Sequence, residues 1–269
     1  MLKNNSLRRH FLSLICCVSI APLLTSEAAE SLTLDFESTN QYSENFRAFL
    51  NGQLVTQSSL GAANDYITLK SVAGLNSATT AYDVTPADDL AKSFFTVTQE
   101  TPLTISANVA FSSATSSFGI YIVDKNNEGA GYLALFNIDQ TATTTDMIRF
   151  YSGATPLTGG TGTVHSSFDG NAFALNEFGS VSVTYSINAN NNPVLSMTAG
   201  GFSKSVTFSD ITTPFTEVEV AMRISAQGAV GQTVNVDNFL VPVPEPSSAA
   251  LLGISGVVIA GFRRRRARP

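Results

Sequence analysis

Two carboxylates in this sequence have a spacing that could support hydrolysis of a sugar linkage. Glu217 and Glu219 lie two residues apart in an alternating stretch, so a β-strand places both side chains on one face. Glycosidases use two carboxyl groups that flank the bond they cut. The main interpretation is a pair of glutamates on an exposed strand face without a catalytic role, and a carbohydrate-active enzyme is the alternative.

Three further acids could share a metal ion if the first and last strands of the domain pair. Asp35 and Glu37 alternate near the start of the exported part, and Asp237 lies near its end. Calcium prefers carboxylate and carbonyl oxygens as ligands. A calcium-stabilised adhesin is therefore a second alternative, whereas ordinary surface acids are the main interpretation. We expect no other cofactor.

Two other segments are less suited to chemistry. Oxygen-bearing side chains alternate before a glycine in residues 124–129, but Ala134 stands where a distal bidentate ligand would be needed, so a hairpin turn is the main interpretation. His165 lies in residues 152–170, a Gly-, Ser- and Thr-rich stretch, and no Gly-x-Ser-x-Gly elbow accompanies it. This predicts a loop histidine rather than a catalytic base, and no catalytic residue is assigned.

Composition excludes several classes of partner. Nineteen acidic and seven basic residues lie between Glu30 and Pro244, which gives this part a formal net charge of −12. Nucleic acid and anionic lipid need clustered Lys and Arg, so neither is an expected partner. The same part contains no cysteine, which excludes a disulfide framework and thiolate chemistry.

The elements that must position these side chains are β-strands. Period-two alternation recurs through the middle of the chain, while sustained helical periodicity is confined to the termini. About a dozen short strands without an internal linker predict a single all-β, antiparallel β-sandwich. The clearest alternating sets are Leu103–Phe111, Phe118–Ile122, Val181–Ile187, Val218–Ile224 and Val234–Phe239.

The N-terminal segment predicts secretion. Lys3, Arg8 and Arg9 precede an apolar stretch from Phe11 to Leu24, and small residues follow it. These are the three regions of a signal peptide, and Ala28 is the expected cleavage position. Signal peptidase and the Sec translocon are thus expected partners.

The C-terminal segment has three parts in a fixed order. Pro244, Glu245 and Pro246 form an elbow, the apolar run 249–262 favours a transmembrane helix, and Arg263, Arg264, Arg265 and Arg266 would retain the end in the cytoplasm. This tail resembles the PEP-CTERM sorting signal of Gram-negative bacteria that make exopolysaccharide. The resemblance implies an exosortase-type membrane protease that recognises Pro244–Pro246 and cuts nearby.

The body resembles a second family. The closing pattern Thr233–Phe239, together with the opening Leu34–Glu37, is similar to the concanavalin/LamG-like jelly rolls often found upstream of PEP-CTERM tails. The resemblance implies a jelly-roll fold and a potential association with extracellular polysaccharide, for which Tyr42, Tyr66, Tyr82 and Tyr151 are candidate stacking residues.

Three regions follow from these observations. Residues 1–28 are predicted to be a signal peptide, 29–241 a β-sandwich domain and 242–269 a sorting signal. We expect a non-enzymatic protein that passes through an inner-membrane intermediate to the cell surface or extracellular matrix.

Overall fold

The computed structural model describes residues 31–35, 46–48, 66–70, 77–82, 94–138, 146–153, 172–226 and 233–242. This part of the chain is all-β, with antiparallel pairing throughout and no helix, as the alternation predicts. Its strands are β1 (Ser31–Leu34), β2 (Phe46–Ala48), β3 (Ile67–Lys70), β4 (Ser77–Tyr82), β5 (Phe95–Thr96), β6 (Leu103–Phe111), β7 (Ser116–Asp124), β8 (Asn127–Asn137), β9 (Met147–Tyr151), β10 (Gly179–Ile187), β11 (Pro193–Ala199), β12 (Phe202–Thr207), β13 (Glu217–Ala226) and β14 (Thr233–Pro242).

The strands form two seven-stranded sheets. In the first sheet the order is β1-β14-β6-β10-β11-β12, and β3 pairs with the first half of β14. In the second sheet the order is β2-β4-β13-β7-β8-β9, and β5 pairs with the start of β13. The consecutive strands β13 and β14 lie in different sheets, and β14 is the last strand of the described part of the chain.

The hydrophobic core lies between the two sheets. Every second residue from Leu103 to Phe111 and from Val181 to Ile187 is buried on the first sheet, as predicted. Phe118, Ile120 and Ile122 face them from the second sheet. Each fully buried side chain of this kind contributes about 1.5–3 kcal/mol, so the inner faces supply most of the stabilisation.

Aromatic side chains fill both ends of the core. Phe173 lies 5.5 Å from Phe111 and 5.1 Å from Phe136, ring centroid to centroid. At the other end Tyr132 stacks on Tyr185 at 5.5 Å, and the Tyr185 hydroxyl donates a 2.9 Å hydrogen bond to the Phe215 carbonyl oxygen. The aromatic residues therefore act largely as core filling, as their alternation indicates.

A hairpin joins β7 to β8, which confirms the interpretation of residues 124–129. The turn is shorter than the sequence predicts, because Asp124 pairs directly with Asn127 and only two residues lie between them. The Asp124 carboxylate accepts a 3.1 Å hydrogen bond from the Asn126 amide, which is the Asx-turn geometry that aspartate favours. A register shift follows, so the glycine-bearing part belongs to β8.

The first and last strands pair, the condition on which the metal hypothesis depends. Antiparallel register places Ser31 opposite Pro242 and Leu34 opposite Phe239. A bulge shifts the register of β14 between Asp237 and Leu240, and Asn238 adopts a positive φ of 49° there. The bulge explains why the buried positions of β14 change from Val234 and Val236 to Phe239 and Val241.

Candidate functional site

The outer face of the second sheet carries a buried cluster that the alternation rule does not anticipate. Tyr121 and Val123 from β7, Leu133 and Leu135 from β8, and Ala221 from β13 form a second apolar group, separate from the inner core. We call these five residues the outer cluster. All are at most 6% exposed, so both faces of the central strands of this sheet are shielded from water.

Gly119 packs against two leucines of the outer cluster and leaves room for their side chains. An added Cβ at this position would lie 2.8 Å from the Ala134 carbonyl oxygen and 2.9 Å from a methyl group of both Leu133 and Leu135. The two leucines therefore occupy space that any other residue at position 119 would need. Gly119 is also directly opposite Arg223 in the register between β7 and β13.

Arg223 and Tyr121 form a buried polar pair beside the outer cluster. The Arg223 Nη1 donates a 2.6 Å hydrogen bond to the Tyr121 hydroxyl, and its Cζ lies 5.8 Å from the centroid of the Tyr121 ring. Tyr121 is fully buried, and Arg223 is 9% exposed. The pair therefore places a guanidinium group beside the outer cluster, out of contact with most of the solvent.

Burial controls the ionisation of Tyr121. It raises the pKa of the Tyr121 phenol above its usual value of 10.0, because the phenolate would lose its hydration. The charge and hydrogen bond of Arg223 act in the opposite direction, and Tyr151 adds a smaller increase. The phenol is therefore neutral at neutral pH, which suits hydrogen bonding better than proton abstraction.

Two more polar side chains are buried on the same face. Glu219 is 1% exposed and Asn137 is 3% exposed. Within the described part of the chain, the Arg223 Nε and the Asn137 Oδ1 have no hydrogen-bond partner. These two atoms lie in a part of the sheet that is shielded from water.

The structure separates the two glutamates that the sequence predicts on one exposed face. Glu217 lies at the start of β13, where its Oε1 is 3.2 Å from the Lys125 Nζ and its side chain is 48% exposed. Glu219, two residues further along the same strand, is buried. The predicted exposure of Glu219 is therefore wrong, because the outer cluster shields its part of the sheet. A catalytic role for the pair stays a prediction.

The proposed metal ligands are only partly described. Asp237 accepts two 2.6 Å hydrogen bonds from Asn238, one from the backbone amide and one from the side chain. Asp35 follows β1, and Glu37 lies outside the described residues. Among the residues that are described, no three His, Cys, Asp or Glu side chains form a group that could hold a metal. Calcium binding by Asp35, Glu37 and Asp237 stays a prediction.

The targeting residues lie outside the described ranges. This applies to Ala28, to Pro244, Glu245 and Pro246, and to Arg263, Arg264, Arg265 and Arg266. His165 lies outside them as well. In the residues that the structure describes, no helix has the length and hydropathy that a membrane span requires. Tyr66 and Tyr151, two of the candidate stacking residues, are both half-buried.

Sequence reasoning missed the Tyr121–Arg223 pair, although a signal exists. The run Phe118–Val123 contains no charged side chain and no polar one except the Tyr121 hydroxyl, and a nearly continuous apolar strand indicates burial on both faces. Period-two alternation explains only its even-numbered residues. Arg223 carries no comparable signal, because an isolated arginine in a strand usually lies on the solvent face.

Comparison with known proteins identifies the C-terminal segment and the fold. Residues 242–266 match the PEP-CTERM protein-sorting motif. Such motifs are recognised by exosortase, a membrane protein, and they indicate export, processing at the membrane and placement at the cell surface or outside the cell. No curated protein has a significantly similar sequence.

Solved structures share the fold at low sequence identity. The alginate lyase Aly36B matches with a TM-score of 0.50 and 14% identity, over 80% of this chain and 97% of that chain. The Crh5 transglycosylase in complex with NAG matches with a TM-score of 0.50 and 12% identity, over 81% and 86%. Lectin II from Ulex europaeus matches with a TM-score of 0.48 and 11% identity, over 79% and 97%.

The shared architecture is the jelly-roll β-sandwich, and at these identities only the fold carries over. The last described strand, β14, ends at Pro242, where the sorting motif begins. The chain is therefore an exported jelly-roll protein that carries a PEP-CTERM protein-sorting motif directly after its last described strand.

Proposed function

We propose that this chain is a non-enzymatic protein of the cell surface or extracellular matrix of a Gram-negative bacterium, associated there with polysaccharide. Sec exports it, signal peptidase cuts after Ala28, and an exosortase reads Pro244, Glu245 and Pro246. The apolar run 249–262 holds the chain in the inner membrane until that cut, with Arg263–Arg266 on the cytoplasmic side.

The junction between β14 and the sorting motif is the observation that carries this proposal. β14 pairs with β1, β3 and β6, so it is an interior strand that completes the first sheet. Pro244 lies only two residues beyond the end of β14. A cut at or after the motif removes no strand of the described sandwich, so it would release a complete domain.

Two features of the second sheet support a role without catalysis. Glu217 is engaged by Lys125 at the surface, whereas Glu219 is buried, so the two carboxylates do not share one solvent-filled environment. Tyr121 has a raised pKa and is a poor base at neutral pH. The fold relatives named for an alginate lyase and for a complex with NAG motivate polysaccharide as the ligand class.

Mass spectrometry of the mature protein tests the sorting step. We expect the protein from the cell-surface and secreted fractions to begin near residue 29 and to lack Arg263–Arg266. A chain with alanine at Pro244, Glu245 and Pro246 should accumulate in the membrane with its C-terminus intact. An intact arginine-rich end in the secreted fraction of the unaltered protein would contradict exosortase processing.

Incubation with polysaccharides tests the absence of catalysis. We expect the chain length of neutral and acidic polymers, measured by size-exclusion chromatography, to be unchanged after incubation with the purified protein. Loss of chain length that disappears in Glu217→Gln or Glu219→Gln would instead establish the carbohydrate-active enzyme. A melting temperature that falls on chelation would establish the calcium-stabilised adhesin.

A further inference from the structure

The outer face of the first sheet presents a regular array of hydroxyl groups. In the register of β6, β10, β11 and β12, Ser106, Ser182, Thr198 and Ser203 are aligned across the strands. Two residues along, the same four strands align Thr104, Thr184, Ser196 and Ser205. We call these eight residues the hydroxyl face.

The strand geometry fixes the spacing of the hydroxyl face. Neighbouring strands lie about 4.8 Å apart, and residues two apart along a strand are separated by about 6.7 Å. The array is therefore a lattice of two rows with four hydroxyl groups each. All eight residues are exposed or half-exposed.

Cross-strand hydrogen bonds join six of the eight hydroxyl groups in three pairs and leave further donor and acceptor sites on each pair. The Thr104 and Thr184 hydroxyls are 2.9 Å apart, those of Ser196 and Ser205 are 2.9 Å apart, and those of Thr198 and Ser203 are 2.7 Å apart. A hydroxyl group has one donor and two acceptor sites. Each pair consequently retains one donor and three acceptors for other partners.

The charge of the hydroxyl face differs from that of the domain around it. None of its eight residues is charged, although the part from Glu30 to Pro244 has a formal net charge of −12. The face also includes β12, which is an edge strand, and edge strands usually carry charges that discourage association. Lys204 of β12 alternates with Ser203 and Ser205 and so belongs to the opposite face.

These properties exclude most partners. Polyanions need Lys and Arg, which the hydroxyl face lacks. Protein interfaces are enriched in aromatic residues, Met and Arg and depleted in Ser, and serine and threonine offer a lipid surface little apolar area. A partner that is uncharged and itself rich in hydroxyl groups meets neither obstacle, because it can exchange hydrogen bonds with the whole array.

We infer that the hydroxyl face binds an extended, uncharged polysaccharide, whose chains lie flat on β6, β10, β11 and β12. The inference rests on the proposed association with polysaccharide and assigns that association to the first sheet and to a neutral polymer. Affinity comes from many weak hydrogen bonds rather than from one pocket, so binding depends on polymer length.

Co-sedimentation of the full-length chain in detergent with insoluble cellulose and with chitin tests the inference, and affinity electrophoresis with alginate provides the anionic comparison. We expect the unaltered chain to bind at least one neutral polymer more than tenfold more strongly than it binds alginate. The double variant Ser182→Glu/Ser196→Glu should lose at least tenfold in neutral-polymer binding, because it places two hydrated charges in the centre of the array.

A matched control distinguishes the effect of charges on the hydroxyl face from the effect of a more negative net charge. Asn190 and Thr213 lie in exposed turns, and Asn190→Glu/Thr213→Glu adds the same charge away from the hydroxyl face. This control and the conservative Ser182→Thr/Ser196→Thr should each bind within twofold of the unaltered chain. Ser203→Glu, on the exposed edge strand, gives a second disruption if the first double variant does not fold.

The outcomes distinguish this inference from the proposed function. Unchanged binding by the folded face variants would overturn the hydroxyl face as the binding surface, while the association with polysaccharide would stand. Binding to alginate alone would overturn the neutral ligand class. Failure of the unaltered chain to bind any of the polymers would count against the proposed association itself.

Discussion

The two sheets of this sandwich present opposite kinds of outer face. On the first sheet the hydroxyl face consists of small, uncharged side chains that are exposed or half-exposed to water. On the second sheet the outer cluster, to which Tyr121 belongs, is buried, and Arg223 and Glu219 are buried on the same face. The inner faces of the two sheets are alike, since both contribute alternating apolar side chains to one core.

This difference indicates that one outer face contributes to binding and the other to the order of the fold. A solvated face of serine and threonine adds little to stability, and we assign it to binding. A buried face with a hydrogen-bonded Tyr121–Arg223 pair adds order to the sheet, because buried polar groups tolerate few alternative arrangements. Substitutions that are equivalent in chemistry should therefore have unequal effects on the two faces.

The largest expected effect comes from Gly119, where the second sheet has no spare volume. Gly119→Val would place a branched side chain where the Leu133 and Leu135 methyl groups already lie. We expect the free energy of unfolding to fall by about 3 kcal/mol, because an overpacked site must displace its neighbours. Urea denaturation of the purified protein measures the change.

A substitution of similar kind on the first sheet is the control. Ser182→Val replaces the hydroxyl by one methyl group and adds a second methyl group. Ser182 is a half-exposed position of the hydroxyl face. The effect of this substitution should stay within about 0.5 kcal/mol, as for most surface substitutions. A large loss of the free energy of unfolding in Ser182→Val, or no loss in Gly119→Val, would contradict the distinction between the two faces.

The sequence predicts one of these faces better than the other. Alternation places the serines and threonines of β10 and β11 outward, and the structure confirms it because a half-buried strand has a period of two. The outer cluster depends on Gly119 and on contacts across β13, β7 and β8. Those contacts join residues about 100 positions apart, such as Tyr121 and Arg223, and no local pattern encodes them.

The next effect compares one cross-strand hydrogen bond on each outer face. Tyr121→Phe removes the acceptor of the 2.6 Å bond from Arg223 and leaves a buried guanidinium donor without it. We expect a loss of about 2 kcal/mol in the free energy of unfolding, the typical penalty for a buried polar group that loses its partner.

Thr184→Val provides the exposed counterpart. It removes the 2.9 Å contact with the Thr104 hydroxyl, but water can replace the lost partner there. A change of at most about 0.5 kcal/mol is expected, and valine also has a high strand propensity. Equal losses for Tyr121→Phe and Thr184→Val would show that burial does not decide the value of these bonds.

Alkaline pH should act on the buried parts of the molecule and spare the hydroxyl face. Burial raises the pKa of Tyr121, Tyr132 and Tyr185 above the ordinary value of 10.0, so the folded state holds these protons more tightly than the unfolded state. Their contribution is complete below about pH 10 and is lost as pH rises above it. Each tyrosine adds a slope of at most about 1.4 kcal/mol per pH unit.

Tyr132→Phe isolates one of these contributions. The ring that stacks on Phe208 at 5.2 Å is kept, and the ionisable hydroxyl is removed. Stability at pH 7 should change little, while the slope of the free energy of unfolding between about pH 10 and 11 should become shallower by about 1 kcal/mol per pH unit. An unchanged slope would mean that Tyr132 does not resist ionisation in the folded state.

The smallest expected effect lies at the boundary of the buried face, on β13. Glu217 and Glu219 share a strand and a face, but Glu217 forms only an exposed ion pair with Lys125. Glu217→Gln should change the free energy of unfolding by less than about 0.5 kcal/mol, since water screens such a pair. Glu219→Gln, at a buried position with interaction partners, should cost about 1–2 kcal/mol.

Because the two variants make the same chemical change two residues apart, urea denaturation of both locates the edge of the buried face. If both variants lost the same free energy of unfolding, Glu217 would also lie within the buried face. If neither variant lost any, Glu219 would lie outside the buried face.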